Sequence, residues 1–467
     1  MVFSGYPFLF YFLPIFLVLY FSVPNKARNA ILLLASLIFY FYGEKGYVLL
    51  LVFSSLMDYT ISLLVERWRG TKKAKAALLI SVAGNLLILM FFKYSDFIIG
   101  NINALLSVDI PLLHVHLPLG ISFYTFQTMS YTIDVYRGDA RPQRNPFDFA
   151  AYVTMFPQLV AGPIVRYQTV AEQLTDRRHT WDDFSAGAVR FVIGLGKKVI
   201  IADTLGQLNA TALAASDKSV LFYWLAVISF MLQIYFDFSA YSDMAIGLGR
   251  IIGFRFLENF NYPFISKSIS EFWQRWHISM GTWFREYIYI PLGGNRVSKI
   301  KWIRNIAAVW LVTGLWHGAA WNFIIWGLFF GIVLALEKLF FMKWLEKIPS
   351  FIRWIYVMII VTFSFVIFHL ESVAGITEYL KGMIGLGGVP FVNSESIYYL
   401  KSFSFVLVIA LFGATPVLRD LVNKAKQHPK WGSVIDMLTP VFTIATLLIV
   451  TAYIIDSSFS PFLYFRF

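Results

Sequence analysis

Apolar runs long enough to enter a bilayer recur from one end of this chain to the other, for example at residues 77–92, 221–235 and 354–368. A helix that crosses a membrane needs about 20 mostly apolar residues. Lipid offers no partner to a backbone amide, so a spanning segment must satisfy its own hydrogen bonds. Only 14% of the 467 residues are charged, against about 25% in an ordinary soluble domain. These features predict an all-α polytopic membrane protein. A β-barrel would instead show short strands of alternating polarity, and the sequence has none.

The charge pattern orients the chain. The first apolar run, residues 6–22, has no basic residue before it and is followed by Lys26 and Arg28. A cleavable signal peptide has the reverse order, so this run reads as a first span with its N-terminus outside. The formal net charge of +12 fits basic cytoplasmic loops better than nucleic-acid binding. Residues 66–76 and 419–430 are such loops. Residues 101–116 contain no Lys or Arg, and residues 371–401 carry slightly more acid than base, so both are expected outside. There is no cysteine, which removes disulfides, a thiolate nucleophile and thiolate metal ligands.

Spans are expected near residues 7–22, 30–42, 47–65, 77–99, 118–136, 188–203, 220–248, 304–335, 353–370, 402–417 and 437–455. With no linker, low-complexity stretch or internal repeat, residues 1–467 read as one domain. Two regions depart from ordinary spans. Residues 152–167, YVTMFPQLVAGPIVRY, are apolar but carry two prolines, which predicts a bent or re-entrant element surrounded by protein or a water-filled cavity. Residues 268–296 mix aromatic and charged side chains, which suits a helix lying in the interface. Within them Glu271 and Arg275 are four apart, as are Trp273 and His277, a spacing that shares a helical face. About thirty residues separate the basic cluster ending at Arg304 from the one starting at Lys338. Two full crossings need about 40, so this segment is expected to dip in and return, or to break part-way, with Gly314 and Gly318 available for the bend and His317 held deep in the membrane.

An ionisable group at that depth is a functional candidate. A neutral imidazole can take a proton from a hydroxyl and return it. A core histidine bonded to a backbone carbonyl is the other reading of His317, and Gly318, Ala319 and Ala320 leave room beside it for a substrate. On residue chemistry alone, His277 reads as a polar tip at the interface. Asp237 and Asp243 are six apart and point to different faces of one helix, which argues against a carboxylate dyad. Asp237 shares a face with Tyr241, and structural hydrogen bonding between helices is the simpler role for both. Ser122, Tyr124, Thr125 and Gln127 either line a polar passage or join helices. His114 and His116 lack the companions of a metal site, and no metal is expected.

Taken together, "PLGISFYTFQTMSYTIDVYRG", "FPQLVAGPIVRY", "YFDFSAYSDMAIGLGR", "NFNYPF", "EFWQRWHISMGTWFREYIYIPLGGNR", "TGLWHGAAWNFIIWG" and the tail "SPFLYFRF" resemble the membrane-bound O-acyltransferase family. The likeness covers nearly the whole chain and is nearest to the bacterial polysaccharide O-acetyltransferase branch, typified by the alginate system. It implies a ring of about 11 tilted transmembrane helices, with re-entrant and interfacial helices, around a central tunnel in the bacterial cytoplasmic membrane. It implies that His317 is the catalytic histidine and His277 the second histidine. The donor would be a cytosolic thioester, acetyl-CoA, with no tightly bound cofactor. The acceptor would be an extracytoplasmic polysaccharide hydroxyl, taken directly or through an esterase-like acetyltransferase partner protein. Trp316, Trp321 and Asn322 would shape the site, with Asn322 bonding the imidazole or an oxyanion. Arg275 and Trp276 would lie with His277 near the donor entrance, where Arg285 and Arg296 could attract phosphates. Asp237, Tyr241, Gln127 and Ser122 would line the tunnel. His317 would act as general base or carry the acyl group itself. The rivals are a D-alanyl transferase of teichoic acid, a long-chain acyltransferase, and a transporter, which would show paired inverted halves.

Overall fold

A computed structural model describes residues 1–456 and Phe462. The tail motif at 460–467 therefore lies outside the described residues, Phe462 excepted. Every regular element among them is helical. Six helices are long and apolar enough to cross a bilayer, and Ser394–Ser402 with Ser404–Gly413, bent by 58°, would complete a seventh span. Other expected spans fall on shorter or more polar helices, such as Ile121–Arg137. The chain forms two compact units, Met1–Phe191 with Ser242–Leu257, and Val192–Tyr241 with Glu258–Phe467.

In the first unit, Val48–Arg67, Lys72–Leu106 and Ile121–Arg137 pack on one another. Their shared interior is polar. Asp58 is fully buried and accepts from Ser81 and from Asn85 Nδ2 at 2.8 Å. Small hydroxyl residues let these helices approach and satisfy each other where lipid cannot. The expected bend appears beside them. Helix Pro146–Thr154 stops at Met155 (φ −45°, ψ 107°) and a single turn, Phe156–Leu159, follows. Every residue from 151 to 165 is buried, and side chains serve the broken backbone. Gln127 Nε2 donates to the Tyr152 carbonyl at 3.0 Å and Gln158 Nε2 to the same oxygen at 2.9 Å. Ser36 Oγ accepts from Phe156 N at 3.0 Å.

His179 ties three loops of this unit together. Arg28 NH1 lies 2.8 Å from its Nδ1. A guanidinium can only donate, so Nδ1 holds the lone pair and Nε2 carries hydrogen, 3.2 Å from the Ile252 carbonyl. Burial, then the charges of Arg28 and Arg177, push this imidazole below its ordinary pKa, against the opposing effect of the Ile252 carbonyl.

The second unit holds a helical hairpin, Lys299–His317 and Trp321–Leu336. The segment breaks part-way, between His317 and Trp321. Its helices take in Lys299, Lys301 and Arg304 at one end and Lys338 and Lys343 at the other. The first arm has 19 residues, about 28 Å of rise, and the second runs unbroken over Trp321–Leu345, 25 residues. Lysine and arginine at helix ends can reach water along their own stems. Gly314 is no bend. It lies inside the first arm and crosses Gly327 of the second. A Cβ on Gly314 would strike the Phe323 carbonyl, and one on Gly327 the Trp310 carbonyl. The turn itself falls at Gly318–Ala320.

Because the folded chain holds His179 less basic than the unfolded chain does, unfolding near pH 6 takes up protons. The stability it contributes is therefore complete above the ordinary imidazole pKa and declines as pH falls below it. Melting in detergent between pH 7.5 and 5.5 should show a drop that His179→Gln, which keeps both hydrogen-bonding roles without titrating, makes shallower.

Candidate active site

His317 is the last residue of its helix and is buried, 6% exposed. Aromatic edges and faces box it in. Ring centroids lie 5.1 Å away at Trp316, 4.9 Å at Trp326 and 5.3 Å at Phe368. The space it faces is a void of about 30 Å³ lined also by His277, Trp273, Trp276, Phe330 and Phe365. Alongside lies a larger cavity of about 330 Å³, whose wall includes Ser270, Trp273, His277, Thr313, Arg285 and Lys338. Trp273 and His277 line both. The two histidines singled out in the sequence are therefore brought to one place, with Trp316 between them, 5.9 Å from the His277 ring.

The interfacial segment is not one helix. Ile269–Arg275 ends, Trp276 is extended, and His277 takes a left-handed backbone (φ 48°, ψ 54°) before Ile278–Phe284 begins. A non-glycine residue held there costs about 1–3 kcal/mol. Asn259, from the preceding loop, holds the corner. Its carbonyl accepts from Ile278 N at 2.9 Å. Its Oδ1 accepts from Ser279 N at 3.0 Å and Ser279 Oγ at 2.9 Å, and lies 3.3 Å from His277 Nδ1. In the sequence Asn259 is marked only by its place in the motif NFNYPF. Its signal was an asparagine in an aromatic loop with no turn to make. Burial drives the His277 imidazole down to about 3, so it is neutral.

Two polar atoms in the cavity wall are buried with no hydrogen-bond partner among the described residues, Trp273 Nε1 and Ser270 Oγ. Leaving such a group unsatisfied costs about 1–3 kcal/mol, a cost that a bound ligand can remove. The other expected site residues are spread more widely. Trp276 lines the small void. Arg275 is paired with Glu271 at 2.9 Å and donates to the Asn261 carbonyl at 3.1 Å. Trp321 is 56% exposed at the hairpin tip. Asn322 Nδ2 donates to the Phe368 carbonyl at 3.0 Å, and its buried Oδ1 has no partner among the described residues. An acceptor atom suits an incoming hydroxyl better than an oxyanion. Asp237 forms an ion pair with Lys198 at 2.7 Å, Tyr241 packs on Phe462, and Gln127 serves the Tyr152 carbonyl as described. Those three line neither the cavity nor the void, and nor do Ser122, Arg275, Trp316, Trp321 and Asn322. Among the described residues no three His, Cys, Asp or Glu side chains converge as a metal site would require.

The fold is that of a multi-pass helical chain with two histidines at adjoining spaces, and residues 141–377 match the profile of MBOAT, the membrane-bound O-acyltransferase family. The chain belongs to that family and is a multi-pass bacterial inner-membrane O-acyltransferase. It is 39% identical over 499 residues to a probable alginate O-acetylase of Azotobacter vinelandii, covering 100% of both chains. It is 47% identical to a protein of the same description from Pseudomonas syringae pv. tomato, over 92% of this chain and 84% of that one. A peptidoglycan O-acetyltransferase of Helicobacter pylori is 33% identical over 98% of this chain and 96% of its own.

The glycine crossing yields a direct test. Gly327→Val should drive a side chain into the Trp310 carbonyl and part the hairpin arms. Size-exclusion chromatography of the detergent-solubilised variant should show aggregated or absent protein, whereas Gly46→Val, with open space around it, should elute normally.

Proposed function

We propose that this chain moves an acetyl group from cytosolic acetyl-CoA to a hydroxyl on an extracytoplasmic polysaccharide, directly or through a partner protein that relays it. The observation that carries the reading is the pair of spaces sharing Trp273 and His277, one large with Arg285 and Lys338 on its wall, the other a small, mostly aromatic void beside His317. The larger space suits the donor, with the two cations for its phosphates. The smaller one argues against a long acyl chain. Relatives described as alginate and peptidoglycan O-acetyl-transferring proteins support a glycan acceptor.

His317 acts as general base. It removes the acceptor hydroxyl proton as the oxygen attacks the thioester carbonyl. The C–O bond forms, the C–S bond breaks, and the imidazolium returns its proton to the departing thiolate. Thiol and ester leave, and the imidazole is neutral again. Its place at a helix C-terminus helps, because the partial negative charge there stabilises the transient imidazolium.

His317→Gln should lower acetyl transfer by about 10²–10⁴-fold while leaving expression and melting near wild type, measured as loss of ester-linked acetate on surface polymer. Normal polymer acetylation in that variant would overturn the assignment. Acyl length gives a second check. Purified protein in liposomes should consume acetyl-CoA and reject butyryl-CoA, and Phe365→Ala, which widens the void, should narrow that preference. Equal use of both thioesters by the wild type would refute the size argument.

A further inference from the structure

The first unit carries a pair of cations with no counter-ion. Arg28 and Arg177 both lie over the ring of buried Tyr20, their guanidinium carbons 5.4 and 5.9 Å from its centroid. Arg28 also faces the Phe21 ring at 5.6 Å, and Arg177 the Phe254 ring at 4.6 Å. Their hydrogen-bond partners are uncharged. Arg28 donates to the lone pair of His179, and Arg177 to the side-chain carbonyl of Asn29. Neither guanidinium makes an ion pair among the described residues, and Arg28 Nε and Arg177 NH1 are buried with no acceptor there. The acids close by are engaged elsewhere. Asp148 accepts from Asn29 and Asn145 at 2.7 and 2.9 Å, and Asp183 pairs with Arg250 and Arg255. Cations partly withdrawn from water without an opposite charge are costly, and an anion seated against them offsets that cost.

The surroundings of the pair indicate which anion. Phe21, 38% exposed, and Trp181, 84% exposed, both meet Phe184 edge-on, with centroids 6.1 and 6.0 Å away. Aromatic side chains open to the surface mark the level of lipid headgroups. Helix Leu13–Ser22, which leads to Arg28, exposes Ile15, Val18 and Leu19, an apolar face on which acyl chains can lie. Arg28 follows the first apolar run, on the side where the charge pattern of the sequence expects the cytoplasm. We propose that Arg28 and Arg177 form a site for the phosphate of an anionic phospholipid of the inner leaflet, with its acyl chains along the exposed face of Leu13–Ser22. The forked donors of arginine match phosphate oxygens, and basic pockets on the cytoplasmic side of membrane proteins select anionic headgroups. A zwitterionic headgroup brings its own cation and offsets less of the charge. A bound lipid would tie the first apolar helix to the loop that carries Arg177 and His179.

The test uses the full chain, stripped of lipid in detergent and titrated with dioleoylphosphatidylglycerol, dioleoylphosphatidylcholine or inorganic phosphate while melting is followed. Phosphatidylglycerol should raise the melting temperature, and the other two should leave it unchanged. Arg28→Gln and Arg177→Gln should each weaken phosphatidylglycerol binding about fivefold, the effect of one cation at a charged membrane surface. Arg178→Gln, which removes an exposed cation next in the chain, should bind as the wild type does. Native mass spectrometry gives a second reading: phosphatidylglycerol retained on the wild type and lost from the double variant. Should Arg177→Gln fail to fold, Arg177→Lys keeps the charge without the fork and should show a smaller loss. A wild type indifferent to phosphatidylglycerol, an equal shift from inorganic phosphate, or an Arg178→Gln loss as large as that of either paired arginine would overturn the lipid site.

Discussion

The contact on which the second unit's site depends is the close crossing of the two hairpin arms at Gly314 and Gly327. Helices in lipid gain nothing from hiding apolar surface from one another, so they associate by approach and packing. Without side chains at that crossing, backbone meets backbone. The approach seats Phe323 beside Phe368, ring centroids 5.0 Å apart, and Trp326 beside His317. The box around His317 is thus a consequence of two missing side chains, one a turn before it and one on the facing arm, and only then of the aromatic residues that form its walls.

The second histidine is fixed by different means. His277 sits at a break between two helices of 7 residues each, too short to be stable alone. Their order comes from outside: Asn259 holds one corner, and Glu337 accepts from Ile269 N at 2.7 Å and Ser270 N at 3.0 Å at the start of the first helix. A buried carboxylate at a helix N-terminus satisfies orphan amides and complements the dipole. The His277 imidazole is therefore positioned by hydrogen bonds to the backbone on either side, while aromatic rings wall in His317.

Much of this was legible in the residues. Apolar run length and low charge define the class, because lipid penalises every alternative. The bent element at 152–167 was readable from its prolines. His317 stood out because a titratable ring in an apolar run has few cheap explanations. The failures have physical causes. Residues 419–430 read as a basic loop, yet helices Val417–Lys426 and Pro429–Asp456 take in nearly all of them, because long side chains reach water from a helix. Gly314 was taken as a hinge, although a glycine serves close approach as readily as bending. Trp273 and His277 were placed on one helical face by spacing, but the chain breaks between them and tertiary structure brings both to the same cavity. Asn259 lies 18 residues before His277, a separation no helical period connects. Asp237 looked like a lining residue because its partner, Lys198, lies on another helix.

The small void has a bearing on the charge that can form in it. Its walls are mostly aromatic, so an ion that appears there finds few dipoles to solvate it. Such lining penalises any intermediate that keeps a net charge and rewards proton movement that keeps pace with bond making.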